Sequence, residues 1–218
     1  MLRKKILADH ILAVVLALGA GCLTATRDAG WVCLFDGESL DGWKVSEHPQ
    51  SFTVKDGAIV AHGSRAHCFY VGPVGNANFK DFELKVDVMT KPNSNGGIFF
   101  HTEYQNEGWP AKGFEAQVNN TYADDPRKTG SLYGIVDVLE APAKDDLWFT
   151  EHVIVKGKRV IIKVDGKTLV DWTEPESPRD TERRPAQVVS SGTIALQGHD
   201  PGSTVHYKNI RIKPLACD

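Results

Sequence analysis

Two neighbouring stretches, Ile98-Phe99-Phe100-His101-Thr102-Glu103 and Phe114-Glu115-Ala116-Gln117-Val118-Asn119, decide how this chain folds. Both read as β-strands, in which successive side chains point to opposite faces of a sheet. The alternation predicts one shared polar face on each strand, made by Phe99, His101 and Glu103 on the first and by Glu115, Gln117 and Asn119 on the second. Short amide, carboxylate and imidazole side chains can donate and accept hydrogen bonds to hydroxyl groups. The pattern is therefore typical of a sugar site on a sheet.

Turn signals divide the rest of the sequence into short strands. Asp56-Gly57 and Asp165-Gly166 each separate two apolar runs and predict hairpins, and Gly157-Lys158 does the same. Residues 82–88 alternate between apolar and polar side chains, which predicts a half-buried strand. About a dozen short strands at this spacing predict an all-β fold, a two-sheet β-sandwich of the jelly-roll type.

Two segments do not fit the strand pattern and are expected to be long loops. Residues 119–130 are polar and follow the second stretch directly, so this loop is a candidate wall for the site. Residues 174–185 combine prolines with a run of charges and are expected to form a solvated surface excursion.

Composition limits the domain count and the class of partner. The chain has 218 residues, 41% of them hydrophobic, with a formal net charge of -3. This length suits one sizeable core, and we expect a single domain over residues 31–216 after a short linker at 22–30. Lysine and arginine do not form runs interleaved with aromatic residues, so we expect no nucleic-acid partner.

The first 21 residues have the features of an export signal. A basic segment, Arg3-Lys4-Lys5, precedes an apolar run that is too short to span a bilayer, and small residues lead to Cys22. The same features are compatible with a bacterial lipoprotein signal, and the sequence leaves lipidation and plain cleavage open. We expect an exported protein of the periplasm, outer envelope or extracellular space, with membrane contact only through a lipid on Cys22.

Cysteine usage agrees with an oxidising compartment. If Cys22 carries lipid, three cysteines remain and only one intramolecular disulfide can form. Cys33 lies in the first strand-like run and Cys217 follows the last one, and they are the preferred pair because sandwiches often bring their terminal strands together. We expect Cys68 to be a small buried residue.

Seven blocks in sequence order carry a family resemblance. The blocks begin at Leu34-Phe35-Asp36-Gly37, Phe79-Lys80-Asp81-Phe82, Asn95-Gly96-Gly97-Ile98, Gly113-Phe114-Glu115-Ala116, Thr129-Gly130-Ser131-Leu132, Ile194-Ala195-Leu196-Gln197 and Lys208-Asn209-Ile210-Arg211. Together they resemble the 3-keto-glycoside 1,2-lyase/3-keto-2-hydroxy-glucal hydratase family, whose domains are also called 3-keto-disaccharide hydrolases. The resemblance implies a concanavalin A-like sandwich in secreted or lipid-anchored bacterial proteins that act on glycosides oxidised at C3.

The residues themselves favour one kind of sugar chemistry. Displacement at an anomeric carbon needs two carboxylates, yet Gln117 and Asn119 follow Glu115 on its predicted face, and amides do not ionise. A ketone at C3 acidifies the C2 hydrogen, so a single base with some stabilisation of the enolate suffices to eliminate the C1 substituent. The sequence therefore favours elimination across C1 and C2, with hydration giving net hydrolysis.

Candidate site residues follow from this chemistry and from the resemblance. Glu115, His101 and His199 are the candidate catalytic bases, and the same three are candidate ligands for a divalent metal ion that would polarise the C3 carbonyl. The candidate carbohydrate-binding residues are Gln117, Asn119, Tyr133, Gln197, Trp109 and Asn95. A second hypothesis remains open: a non-catalytic carbohydrate-binding module or lectin-like envelope protein on the same fold.

Overall fold

The computed structural model describes residues 29–176 and 187–216, which form two antiparallel β-sheets packed face to face. In chain order the strands are β1 Val32–Cys33, β2 Trp43–Val45, β3 Phe52–Lys55, β4 Ala58–His62, β5 Ala66–Tyr70, β6 Phe82–Thr90, β7 Asn95–Thr102, β8 Phe114–Asn119, β9 Phe149–Lys156, β10 Arg159–Val164, β11 Lys167–Thr173, β12 Thr193–Gly198 and β13 Thr204–Pro214. The larger sheet has the order β11-β10-β9-β6-β13-β4-β3, with β1 paired to β13, and the smaller has the order β2-β5-β12-β7-β8. This arrangement confirms the predicted all-β, concanavalin A-like sandwich.

The predicted hairpins are present, and backbone geometry explains their residues. Asp56 and Gly57 have φ angles of 51° and 74° between β3 and β4, and Asp165 and Gly166 have 47° and 81° between β10 and β11. Two successive positive φ angles are the requirement of a two-residue turn that matches the strand twist. Two short 3-10 helices, Pro49–Ser51 and Val74–Ala77, complete the regular structure. Within the described residues, no helix has the length and apolar character needed to cross a bilayer.

The main apolar core lies between the two sheets. Strand β6 alternates as predicted and turns its apolar residues inward, where they pack with residues of the smaller sheet. The Trp43 side chain is buried, and its indole N–H donates to the Leu34 carbonyl oxygen at 2.8 Å. Because its inner face is used by the core, the smaller sheet has only its outer face available for a site. The inward residues include Phe82, Leu84, Val86, Ile98, Phe100, Phe114 and Leu196.

The predicted face of His101 is wrong. His101 has a positive φ of 54°, and the pairing of β12 with β7 shifts register between Thr193 and Ala195. This irregularity interrupts the alternation after Phe100, so the His101 ring packs against Phe82 and Phe100 on the core side. Its Nε2 lies 2.8 Å from the Lys80 carbonyl oxygen. Burial lowers the pKa of His101, and the imidazole is a structural part of the sheet edge.

The core also contains an ionisable group, Glu151 of β9. It is fully buried, and burial raises the pKa of this carboxyl group well above its ordinary value. The backbone N–H of Gly130 opposes the shift, and the carboxylate of Glu115 on the smaller sheet adds to it. Burial therefore favours the protonated, uncharged form of Glu151 in the folded protein.

Glu151 is expected to make the protein less stable as the pH rises. Above about pH 4 the unfolded chain releases this proton, whereas the folded protein retains it until the raised pKa is reached. The folded state then binds more protons, so the free energy of unfolding falls by up to about 1.4 kcal/mol per pH unit through this group. Glu151→Gln should flatten this slope in denaturant unfolding measured across the pH range, while Glu140→Gln, at an exposed position, should leave it unchanged. Equal slopes for wild type and Glu151→Gln would contradict the assignment.

The cysteines agree with expectation where the structure describes them. Cys68 is a free, buried thiol, and burial raises its pKa. Cys33 is disulfide-bonded, while Cys217, its predicted partner, lies outside the described residues. The export signal at 1–21, Cys22 and most of the 174–185 segment lie outside them as well.

Candidate functional site

A cavity of about 400 Å³ opens on the outer face of the smaller sheet. Strands β7, β8 and β12 form its floor, and two loops that follow β7 and β8 form its walls. The lining residues are Asn95, Trp109, Glu115, Gln117, Asp125, Tyr133, Gln197 and His199. A cavity with aromatic walls and converging amides and carboxylates suits a small polar ligand.

The floor of the cavity is arranged around Gly97 of β7, which has no side chain. Glu115 of β8 pairs with Phe99 of β7, but its carboxylate extends over Gly97 of the same strand, where Gln197 Nε2 of β12 donates to Glu115 Oε1 at 2.9 Å. A Cβ atom on Gly97 would meet Glu115 Oε1 directly and would lie 3.0 Å from its Cγ. The glycine therefore provides the space in which the carboxylate lies across the middle strand.

Two more amides extend this polar floor. Gln117 Nε2 donates to Asn95 Oδ1 at 3.2 Å, which joins β8 to β7 one row further along. The side-chain carbonyl oxygens of Gln117 and Gln197 have no hydrogen-bond partner within residues 29–176 and 187–216. Buried acceptors usually find a donor, so these oxygens are candidates to accept hydroxyl groups of a bound sugar.

His199 follows β12 and is oriented by the next residue. Its Nδ1 lies 2.7 Å from Asp200 Oδ2, and the Ser203 hydroxyl donates to the same oxygen at 2.8 Å. Burial opposes ionisation of Asp200, but hydrogen bonds from His199, Ser203 and the Gly202 N–H outweigh it and lower the pKa of this carboxyl group. A carboxylate on Nδ1 fixes the tautomer that carries the proton there and leaves Nε2 as a proton acceptor.

One wall of the cavity is Trp109, presented by the loop after β7. Gln105 braces this loop, because its amide donates to the carbonyl oxygens of Glu107 and Trp109 and accepts from Ala111 N–H at 2.9 Å. The Trp109 ring lies 5.2 Å from the His199 ring, centroid to centroid. It remains 44% exposed, so its surface is available to a ligand.

The other wall comes from the loop after β8, as the sequence predicted for residues 119–130. Asp125 lines the cavity and accepts from the Arg127 backbone N–H at 2.9 Å and from its guanidinium at 3.2 Å. The same guanidinium lies 4.7 Å from the centroid of the Tyr133 ring. Arg127 therefore holds two lining residues in place from behind.

The sequence from the first strand to the last matches one known domain family. A family model described as a 3-keto-alpha-glucoside-1,2-lyase-like domain covers residues 30–213. This chain belongs to that family.

Individual relatives of this family member are distant. A 3-keto-disaccharide hydrolase from Bacteroides thetaiotaomicron is 23% identical over 230 aligned residues, covering 85% of this chain and 79% of the relative. A Parabacteroides distasonis protein provisionally assigned as a glycosyl hydrolase superposes with a TM-score of 0.72 at 24% identity, over 86% of this chain and 94% of that one. The carbohydrate-binding module CBM66 from Bacillus subtilis superposes with a TM-score of 0.57 at 14% identity, over 79% and 95% of the two chains. At these identities the two structural similarities establish a shared fold.

The structure of this family member brings together seven of the nine side chains that the sequence singled out. Those in the cavity are Glu115, His199, Gln117, Tyr133, Gln197, Trp109 and Asn95. His101 is not among them, for the reason given above, and Asn119 is the second exception. Asn119 lies on the predicted side of β8, but its side-chain amide is directed to the backbone of the following loop, with Nδ2 2.8 Å from the Arg127 carbonyl oxygen.

Two acidic residues of the site were missed by sequence reasoning. Asp125 lies in an acidic loop segment whose apolar and polar residues do not alternate. The only sequence-based indication was the expectation that residues 119–130 form a wall of the site. Asp200 directly follows His199, and the rule of alternating faces separates adjacent residues. The available signal was the Asp200-Pro201-Gly202 turn, in which Asp200 Oδ1 accepts the Gly202 N–H at 2.8 Å and keeps the carboxylate beside the imidazole.

The suggested three-residue metal site is not formed. Glu115 and His199 both line the cavity, but His101 packs on the core side of the sheet. Among the described residues, no group of three or more His, Cys, Asp and Glu side chains is placed to hold a metal ion.

Proposed function

We propose that this protein is an exported carbohydrate-active enzyme that cleaves 3-keto-glycosides by base-assisted elimination across C1 and C2, followed by hydration. The observation that carries the proposal is the His199–Asp200 pair at a cavity whose floor holds Glu115 and three amides. Membership of the 3-keto-alpha-glucoside-1,2-lyase-like family supports the choice of substrate class. The export signal read from residues 1–21 supports the location, with a lipid on Cys22 as its membrane-anchored form.

The proposed reaction needs one well-placed proton acceptor. The C3 ketone acidifies the C2 hydrogen, and His199 Nε2 removes it while Asp200 stabilises the imidazolium that forms. The electron pair moves into the C1–C2 bond, and the aglycone oxygen leaves C1 with its bonding pair and takes up a proton. Water then adds at C1 of the 1,2-unsaturated keto sugar, so that the two steps amount to hydrolysis.

The other lining residues hold the sugar in this scheme. Gln117, Gln197 and Asn95 bind hydroxyl groups along the floor, and Trp109 and Tyr133 enclose the ring from the two walls. Glu115, held by Gln197, accepts a further hydroxyl group at the centre of the floor.

The second cavity carboxylate does not turn the site into a two-acid hydrolase. Displacement needs one carboxylate as nucleophile or base and a protonated partner as acid. Asp125 Oδ1 accepts hydrogen bonds from both the backbone N–H and the guanidinium of Arg127, so this carboxylate is engaged within its own loop. Oxidation of the substrate at C3 is therefore expected to be essential.

Incubation of the purified protein with a 3-keto-glucoside in deuterated buffer tests the proposal. We expect release of the aglycone and incorporation of deuterium at C2, because proton removal from C2 precedes loss of the C1 substituent. The matched glucoside with an unoxidised C3 should be neither cleaved nor exchanged. Absence of both release and exchange across several aglycones would overturn the proposal.

A non-catalytic carbohydrate-binding module is the second candidate. It is favoured by the shared fold with a known carbohydrate-binding module and by the exposed indole of Trp109 at the cavity. Such a module would bind unoxidised sugars in calorimetry without C2 exchange, and replacement of His199 would change its affinity only modestly. The elimination mechanism predicts the opposite, because turnover should depend on His199 while binding is retained.

A further inference from the structure

Lys128 lies behind the candidate site, at the end of the loop that follows β8. Its ammonium group donates to the carbonyl oxygens of Tyr122 at 2.9 Å and Asp125 at 3.2 Å, and to Asn119 Oδ1 at 3.4 Å. A lysine ammonium has three N–H donors and no acceptor. The three oxygens thus match its donors, in the way that oxygen ligands surround a small cation.

The buried Asn119 side chain reinforces the same arrangement. Its Nδ2 donates to the carbonyl oxygens of Asp125 at 3.0 Å and Arg127 at 2.8 Å, and its Oδ1 accepts the Tyr122 backbone N–H at 2.9 Å. Asn119 and Lys128 together therefore hold the backbone of residues 122–127 at several points. We call this set of donors and oxygens, formed by Asn119, Tyr122, Asp125, Arg127 and Lys128, the ammonium cage.

The loop fixed by the ammonium cage contacts the site directly. The Tyr122 ring meets the His199 imidazole edge-on, with centroids 5.5 Å apart and an interplanar angle of 64°. Asp125 lines the cavity. The loop therefore influences both the proposed base and one wall of the cavity.

We propose that Lys128 is a positioning residue of the candidate site, whose ammonium group closes the cage and so holds Tyr122 against His199. Without the ammonium, two main-chain carbonyl groups lose a charged donor, and water has to replace it in a loop that then opens more often. The proposed role rests on the proposed function where it concerns turnover. The role does not depend on that function where it concerns the order of the loop and the contact between the Tyr122 and His199 rings.

Lys128→Ala tests the cage without any substrate. We expect backbone amides of residues 120–127 to exchange with deuterium about tenfold faster or more, and the NMR chemical shifts of the His199 ring to change as the Tyr122 ring leaves it. Propylammonium, which replaces the removed atoms, should restore slow exchange in a saturable manner. Tetramethylammonium, with the same charge and no N–H donor, should not. Lys158→Ala, at an exposed turn between β9 and β10, is the matched control and should behave as wild type.

Turnover of a 3-keto-glucoside supplies the second measurement. Lys128→Ala should lower kcat by about tenfold or more with a smaller change in KM, because the misplaced group is the base and the floor that binds the sugar is retained. Propylammonium should recover part of this loss, and Lys128→Arg should retain more activity than Lys128→Ala.

The outcomes separate the two proposals. If the wild type cleaves no 3-keto-glycoside, the proposed function fails, and the cage is decided by amide exchange and the chemical shifts of the His199 ring alone. Wild-type exchange in Lys128→Ala would overturn the cage. Faster exchange with unchanged His199 ring shifts would overturn the positioning role, and equal rescue by tetramethylammonium would show a simple charge effect and overturn it as well.

Discussion

His199→Asn is expected to slow cleavage of a 3-keto-glucoside by about a hundredfold to ten-thousandfold, the usual contribution of a general base. Asparagine retains a polar side chain of similar length but provides no basic ring nitrogen. C2 deuterium exchange should fall in parallel with aglycone release, since both depend on removal of the C2 proton. Binding of the product sugar in calorimetry should remain close to wild type, because the floor amides are untouched.

The control for this variant is a histidine elsewhere on the sandwich. His206 lies on β13 of the larger sheet, where its ring is beside Trp148, and His206→Asn should leave turnover unchanged. Asp200→Asn should reduce turnover less than His199→Asn, because it removes only the carboxylate that orients the imidazole. Wild-type exchange at C2 in His199→Asn would show that another group, with Glu115 the first candidate, removes the proton.

Gly97→Ala is expected to weaken sugar binding and turnover strongly while the fold is retained. The backbone of Gly97 is outside the left-handed region, so alanine is compatible with its conformation. The new methyl group would occupy the position of Glu115 Oε1 and force the carboxylate away from Gln197. Misplacing a site group by about 1 Å can cost about a hundredfold in rate, which sets the expected effect. The measurements are calorimetric affinity and kcat/KM.

The matched control is the glycine that ends the neighbouring strand. A Cβ atom on Gly198 would lie 3.4 Å from a Phe52 ring carbon, an ordinary contact, so Gly198→Ala should behave nearly as wild type. The aspartate side chain in Glu115→Asp is shorter by one methylene group. Combining this substitution with Gly97→Ala should recover part of the lost sugar binding and turnover. A double variant whose losses simply add would argue against steric coupling between the two positions.

Local sequence patterns predicted most of this fold because each pattern reports a local constraint. The alternation in β6 and β8 follows from one face being packed in the core, and the Asp-Gly pairs follow from turns that need positive φ angles. These constraints act between residues that are close in the sequence. The order of the strands within each sheet could not be predicted in this way, because it depends on contacts between distant segments.

The errors at the site have the same origin. The face of His101 was predicted wrongly because the backbone conformation of this residue depends on neighbours from two other segments. Cβ atoms on Gly113 and on Gly192 would both collide with the His101 backbone, so the bulge fits only between two glycines that are remote in sequence from each other. Asn119 was assigned to the correct face, but a loop of twelve residues folds back over its amide. A rule based on the two-residue period of a strand does not predict contacts between segments that are distant in the sequence.

Strand β8 is buried along its whole length, but its side chains point alternately to the core and to the outer face of the sheet, which separates the two demands on this protein residue by residue. Phe114, Ala116 and Val118 belong to the core, whereas Glu115 and Gln117 belong to the cavity. Substitutions of the core residues should therefore lower solubility or expression. Substitutions of the cavity residues should change ligand preference while expression stays normal. A lineage can diversify what it binds through every second position of such a strand while selection for folding acts on the positions between.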